Sequence, residues 1–322
     1  MRNGAKAMSD MGFQTFINGT SFDATNSMAF NYIIDIFVIT AGSGSRDYSA
    51  YPNSDFSVVC INDSLEKDKT FTYSQSGTTL NWTSSFGMRM AVIATPVSGS
   101  KAKESMGFAY YADGKIKLTP SFTPMVLCQV LDVTAGLKVV QTNVPAGRKF
   151  LAFHRGTGTS GNSLDQVWWK ETTQNGYIAL NIDVVNSTGF RLYVFSDIPV
   201  NPPDYGFFVY KNGAIVYHSN CLPLIVKVWD RQENANGISS NSPMAVGPGV
   251  VSFISGGSAG TAQSSFICSS AGFSQSLNPP WRVTAVIYTT NIGGNPQPGW
   301  SVRYIPYIDT AVYDQYYLNA LG

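Results

Sequence analysis

Charge is what this chain lacks most. Lys, Arg, Asp and Glu supply 13% of its 322 residues, against about 25% in an average soluble domain, and the net charge is +1. No basic stripe is present to neutralise phosphates, so a nucleic-acid partner is not expected. A surface of Ser, Thr, Asn, Gly and aromatics carries little self-repulsion, which suits a chain packed against neighbours. Long apolar runs are missing too. None approaches the ~18 residues of a membrane-spanning helix, and the amino-terminal "MRNGAKAMSDMGF" has no apolar stretch of the length a secretory signal needs. The expectation is a chain made in a cytoplasm and not exported by the standard route, with Met1 or Met8 as its start.

Metal-binding and catalytic residue types are equally scarce. The four cysteines, Cys60, Cys128, Cys221 and Cys268, show no Cys-x-x-Cys or His-Cys spacing, so neither a metal nor a cofactor is expected. Three of them sit inside apolar runs, where a reduced Cys behaves as a small hydrophobe. A Cys221–Cys268 bridge is the minor alternative. Only two histidines occur, His154 and His218. His154, in "FLAFHRGTG", has the chemistry for acid–base work. His218 falls at a position occupied by other residue types in related segments, which reads as a surface or edge residue. There is no Gly-x-Ser-x-Gly elbow, His-Glu-x-x-His or P-loop. The Gly/Ser-rich "GSGSR" (42–46) and "SGGSAG" (255–260) do not end in Lys-Ser/Thr opening a helix, so both read as loops. No enzyme is expected, although paired carboxylates that cleave glycans leave no sequence motif.

What is present is β structure. Runs of Ala, Leu, Glu and Lys with helical periodicity are missing, whereas strand-like segments separated by Gly, Asn, Ser and Pro clusters are plentiful. They include "NYIIDIFVIT" (31–40), "DFSVVCIN" (55–62), "MVLCQVLDV" (125–133), "YIALNIDVV" (177–185), "RLYVFSD" (191–197), "LIVKVWD" (224–230), "GVVSFIS" (249–255) and "WRVTAVIYTT" (281–290). "SLDQVWWKETT" (163–173) is the one stretch that could start a helix, but Val167, Trp168 and Trp169 favour a strand.

One pattern repeats. "GFQTFING" (12–19), "GFAYYADG" (107–114) and "GFFVYKNG" (206–213) align without gaps on Gly12, Gly107 and Gly206, and on the turn pairs Asn18-Gly19, Asp113-Gly114 and Asn212-Gly213. Asn-Gly or Asp-Gly between two β-prone runs predicts a two-residue type I′ hairpin, whose central residues both need φ > 0. A second pattern follows in the same order: "FGMRMAVIATP" from 86, "TGFRLYVFSDIP" from 188 and "PGWSVRYIP" from 298. The repeated glycines lie 95 and 99 residues apart, a spacing suited to whole β domains. The sequence therefore predicts an all-β chain of three tandem antiparallel sandwich-like domains. They follow a leader at 1–10 and span 11–101, 102–203 and 204–322, the last with an aromatic tail, "YIDTAVYDQYYLNALG", that packs on its own domain or a neighbour.

Adjacent strand residues face opposite sides, so one of Trp168 and Trp169 should leave its sheet's core and serve as an interface or glycan contact. Trp229 and Trp300 read as core.

The opening Gly-Phe, aromatic, Asn-Gly or Asp-Gly pattern resembles the start of small β-rich proteins from the tails of tailed bacteriophages. The likeness covers about fifteen residues per unit and carries no catalytic residues. It implies a virion structural protein made in the bacterial cytoplasm, a tail-tip or fibre-associated component. Its partners would be other tail proteins and copies of itself, with a trimer as the natural guess for a fibre. A module that binds a host-surface glycan is the alternative, and a polysaccharide-degrading tail enzyme a more distant one.

Overall fold

The structure is a computed structural model. It describes residues 14–17, 20–23, 32–62, 70–85, 87–97, 110–112, 115–120, 123–156, 166–198, 202–230, 238–239, 244–247, 253–255, 262–265, 267–268, 276–278, 295–297 and 304–317. These residues form an all-β protein of antiparallel sheets with one short helix.

The first segment opens with a hairpin of β1 (Gln14–Ile17) and β2 (Thr20–Asp23). Six strands follow: β3 (Tyr32–Ile39), β4 (Gly42–Asp47), β5 (Ser54–Asn62), β6 (Phe71–Ser76), β7 (Thr79–Ser84) and β8 (Met88–Pro96). They make two three-stranded sheets, ordered β3-β8-β5 and β4-β7-β6. Strand β8 is apolar on both faces, and its alternation divides it between two cores. Met90, Val92 and Ala94 join Tyr32, Ile34, Phe56, Val58 and Leu80 in the core between the two sheets. Ala91 and Ile93 join Ile33 and Val59 in the larger core that the rest of the chain builds. The β3-β8-β5 sheet is thus a middle layer. "GSGSR", expected as a loop, is instead strand β4. Its Gly44 lies against the Trp82 ring, and a Cβ there would stand 2.5 Å from Trp82 Cζ2. The glycine lets an indole cross the strand.

The second segment contains the hairpin β9 (Tyr110–Ala112)/β10 (Lys115–Leu118), then β11 (Val126–Pro145), β12 (Phe150–Gly156), β13 (Gln166–Gln174) and β14 (Tyr177–Ser196). Strands β11 and β14, each 20 residues long, pair antiparallel along their length, with a register shift between Thr134 and Gly136. A straight ribbon would hold residues 128 and 143 roughly 50 Å apart, yet Asn143 Nδ2 donates to the Cys128 carbonyl at 3.0 Å. The ribbon therefore doubles back at the shift, where Gly136 adopts φ 97, a conformation open to glycine. Its halves bury Ile178, Leu180 and Ile182 in the same core as Phe190, Leu192 and Val194. One bent ribbon supplies both sheets of a sandwich.

The last segment supplies the hairpin β15 (Phe208–Lys211)/β16 (Ala214–His218), then β17 (Lys227–Asp230), β18 (Ile238–Ser239), β19 (Met244–Val246), β20 (Phe253–Ser255), β21 (Ala262–Ser265), β22 (Ile267–Cys268), β23 (Ser276–Asn278), β24 (Asn295–Gln297), β25 (Tyr304–Asp309) and helix α1 (Thr310–Tyr317). The "WRVTAVIYTT" segment lies outside the described residues. The three-domain arrangement is not confirmed. One eight-stranded sheet runs β17-β25-β19-β12-β14-β13-β21 with β11 beside β14, so strands on either side of residue 203 share it. The core it covers also takes side chains from β3, β5 and β8. The aromatic tail packs on that core. Tyr313 is fully buried there, accepts the Ile225 N–H at 2.8 Å and donates to the Pro223 carbonyl at 3.1 Å.

Candidate binding cleft

In each repeated hairpin the register leaves two residues between the strands: Ile17 opposes Thr20, Ala112 opposes Lys115 and Lys211 opposes Ala214. In the third, Asn212 and Gly213 have φ 51 and 78, the backbone of a type I′ turn. Asn18, Gly19, Asp113 and Gly114 lie outside the described residues. An equivalent turn occurs where it was not expected, at Asn175-Gly176 (φ 52 and 81) between β13 and β14.

Trp168 and Trp169 lie on β13 opposite Asp183 and Ile182 of β14, and opposite Gln263 and Ala262 of β21. Their backbones therefore belong to an inner strand of the sheet; their side chains lie outside the described residues. The two histidines are both fully buried. His218, expected at the surface, packs on Phe208 with ring centroids 6.3 Å apart, and its Nδ1 accepts the Asn220 N–H at 3.2 Å. The outgoing hairpin strand turns that side inward, so variation between units did not mark a surface position. His154 stands between Leu192 and Val246 in the sheet, edge-on to Phe190. Burial pushes its imidazole down from 6.5 to about 3, and with no exposed surface it is poorly placed to exchange protons with a substrate. Cys128 and Cys221 are buried and in no disulfide, so the Cys221–Cys268 bridge does not form. Among the described residues no cluster of His, Cys, Asp and Glu could hold a metal.

The seam between the β3-β8-β5 layer and the larger sandwich carries a cleft of about 380 Å³. Ile36 of β3 and Arg89 of β8 line one side; Glu171, Thr172 and Thr173 of β13, Ile178 of β14 and the turn Ala146–Lys149 line the other. Each polar group has a structural reason to be there. Residue Ile34 is a bulge in β3, since Ile33 opposes Ile93 while Asp35 opposes Val92. A bulged residue leaves the ladder, and the Ile34 carbonyl accepts the Lys149 ammonium at 2.6 Å. Arg89 ion-pairs with Glu171 across the seam. Arg148 is held by Asp197, with Nε 3.2 Å from Oδ1 and Nη2 3.3 Å from the backbone oxygen. Thr172 and Thr173 are exposed beside the Asn175-Gly176 turn. In so weakly charged a sequence, the adjacent Arg148-Lys149 after "VPAG" was the available signal for this site.

A second polar cluster fastens the carboxy-terminal helix. Asp314 accepts from Arg155 Nη1 at 2.8 Å, Arg191 Nη1 at 3.1 Å and Tyr193 Oη at 2.7 Å. Arg191 also forks onto Asp132 at 2.8 and 3.0 Å, and these contacts hold the Asp132 carboxyl below its ordinary range. Arg155 Nε is buried without a hydrogen-bond partner among the described residues, while the other contacts tie the helix to the sheet as a structural latch.

Comparison with protein-family models, curated proteins and solved structures gives no match for this chain.

Proposed function

We propose that the chain is a structural component of a tailed-bacteriophage particle, a tail-tip or fibre-associated protein that packs against symmetric neighbours. The observation that carries this reading is the free side of β11. Among the described residues, the stretch 136–141 pairs with β14 alone. Its outer face presents Leu137 and Val139, 56% and 55% exposed, while Val140 packs inward. Lys138 is the one charge in this stretch, and an edge strand left open with exposed apolar neighbours on either side of that charge is a template for another chain. The low charge and the repeated hairpins without repeated chemistry support the same reading, as does the resemblance to phage tail proteins. It carries with it synthesis in a bacterial cytoplasm and residence in the virion.

Two experiments test it. Sedimentation of the purified chain should reveal an oligomer that Val139→Lys disperses, because a second charge beside Lys138 replaces one of the two exposed apolar side chains of this face. Gold labelling of an epitope-tagged chain on purified particles should mark the tail. A parent chain that remains monomeric, together with unlabelled particles, overturns the proposal.

A further inference from the structure

The cleft has more hydrogen-bond donors than the protein uses. Lys149 gives one of three ammonium protons to Ile34. Arg148 engages Nε and Nη2 with Asp197, leaving Nη1 without a partner among the described residues. The hydroxyl of Thr173, on the same side of the sheet as its cleft-lining partner Ile178, adds a further group that donates or accepts. The charges also fail to cancel. Arg89 is answered by Glu171 and Arg148 by Asp197, whereas no carboxylate among the described residues lies within ion-pair distance of Lys149. A half-buried ammonium whose sole partner is a neutral carbonyl favours an incoming anion, and charge-assisted hydrogen bonds are the strong ones. Size restricts that anion. A cleft of about 380 Å³ lies near the lower end of ligand sites, too small for a folded partner and larger than a bare ion requires. Its apolar lining, Ile36 and Ile178, offers a hydrophobic wall to ring C–H groups.

We propose that this cleft binds one residue of a sugar acid, a ring polyol with a single carboxylate. The carboxylate meets Lys149 and the spare Arg148 nitrogen, the ring hydroxyls meet Thr173 and the open oxygen of Glu171, and the C–H face lies on Ile36. The site does not depend on how the chain assembles through β11.

Saturation-transfer NMR on the full chain tests this, with glucuronate as the probe, methyl glucoside as its neutral counterpart and acetate as the bare anion. Transfer to glucuronate at millimolar concentration, with little to either control, is the expected result. Lys149→Gln should weaken binding roughly tenfold or more, the value of a hydrogen bond to a charged group. Lys149 also ties the turn to Ile34, so a lowered melting temperature in that variant would shift the test to Arg148→Gln and Thr173→Val, which change exposed side chains. A uronate oligosaccharide separates the sources of the ligand: binding assigns the site to acidic polysaccharide, and exclusion with glucuronate retained assigns it to a free sugar acid. No transfer to glucuronate, equal transfer to acetate, or parental binding in both Arg148→Gln and Thr173→Val overturns the proposal.

Discussion

His154 should make the fold acid-sensitive well above the pH at which carboxylates titrate. Its imidazole lies at 0% exposure, and burial holds the folded-state value near 3 against 6.5 for the unfolded chain. The folded value is the lower one, so the contribution is fully present above pH 6.5 and is lost as pH falls from 6.5 towards 3. Between those limits the unfolded chain takes up a proton that the folded chain refuses. Each pH unit then removes about 1.4 kcal/mol, or about 2 kcal/mol by pH 5. With a urea m-value of roughly 3 kcal/mol/M, that moves the unfolding midpoint by roughly 0.7 M. The chain has two histidines, so His154→Gln removes this contribution while keeping a polar side chain of similar size, and His218 cancels in the comparison. Tryptophan-fluorescence unfolding at pH 7 and pH 5 should show a larger loss in the parent than in the variant. Equal losses in both proteins, or an NMR titration of the His154 ring near 6.5 in folded protein, would refute the reasoning.

Other outcomes follow from single contacts. Asp314→Ala leaves Arg155, 7% exposed, without its carboxylate and should cost about 3 kcal/mol; limited proteolysis should then release the carboxy-terminal helix first, and an unchanged cleavage pattern would remove its role as a latch. Gly213→Val places a β-branched residue at φ 78 and should cost about 1–3 kcal/mol, read as a fall in melting temperature; no fall would contradict the type I′ turn. Cys128, 2% exposed with its thiol pushed up to about 12, should resist iodoacetamide at pH 8 until the protein is denatured, as should the fully buried Cys221. Mass mapping of alkylated peptides checks both.

Local chemistry was legible in the sequence where it was strong. Asn212-Gly213 specifies its own turn, and the β-branched runs at 31–40 and 55–62 became β3 and β5 because they form strands whatever they pack against. Long-range consequences were hidden. "YIALNIDVV" and "RLYVFSD" read as two strands because "NSTG" between them has turn composition, yet both belong to β14, which runs through its bend. The helix was overlooked because "TAVYDQYY" has neither a charged last turn nor a strong apolar stripe. Its start did carry a signal, since Asp309 Oδ1 accepts the Ala311 N–H at 3.0 Å, a capping contact of the usual kind. Of the cleft, only Arg148-Lys149 showed in the sequence. The residues opposite, Ile36 and Arg89, come from strands far away in the chain, and no local pattern announces which surfaces will meet.

The same seam explains how repeated hairpins coexist with two cores that share one middle layer. A tandem of independent domains would give each sheet one wet face, with apolar and polar residues alternating along its strands. Strand β8 instead reads Met-Ala-Val-Ile-Ala from 90 to 94, because one face meets the β4-β7-β6 sheet and the other meets the large sandwich. Removing the second contact would expose Ile33, Val59 and Ile93 together, an apolar patch of the kind soluble monomers avoid. Docking of the layers is therefore part of the fold. Where their apolar faces end, the contact becomes polar, through Lys149 on the bulged Ile34 and Arg89 on Glu171. The cleft lies at that transition. Its walls come from both layers, so its geometry exists only when they are docked, and a ligand held there would stabilise the seam by mass action. The repeated hairpins also feed the large core, through Leu118, Val209 and Tyr217, whereas the bent ribbon, the middle layer and the charged cleft occur once, where the segments pack on one another.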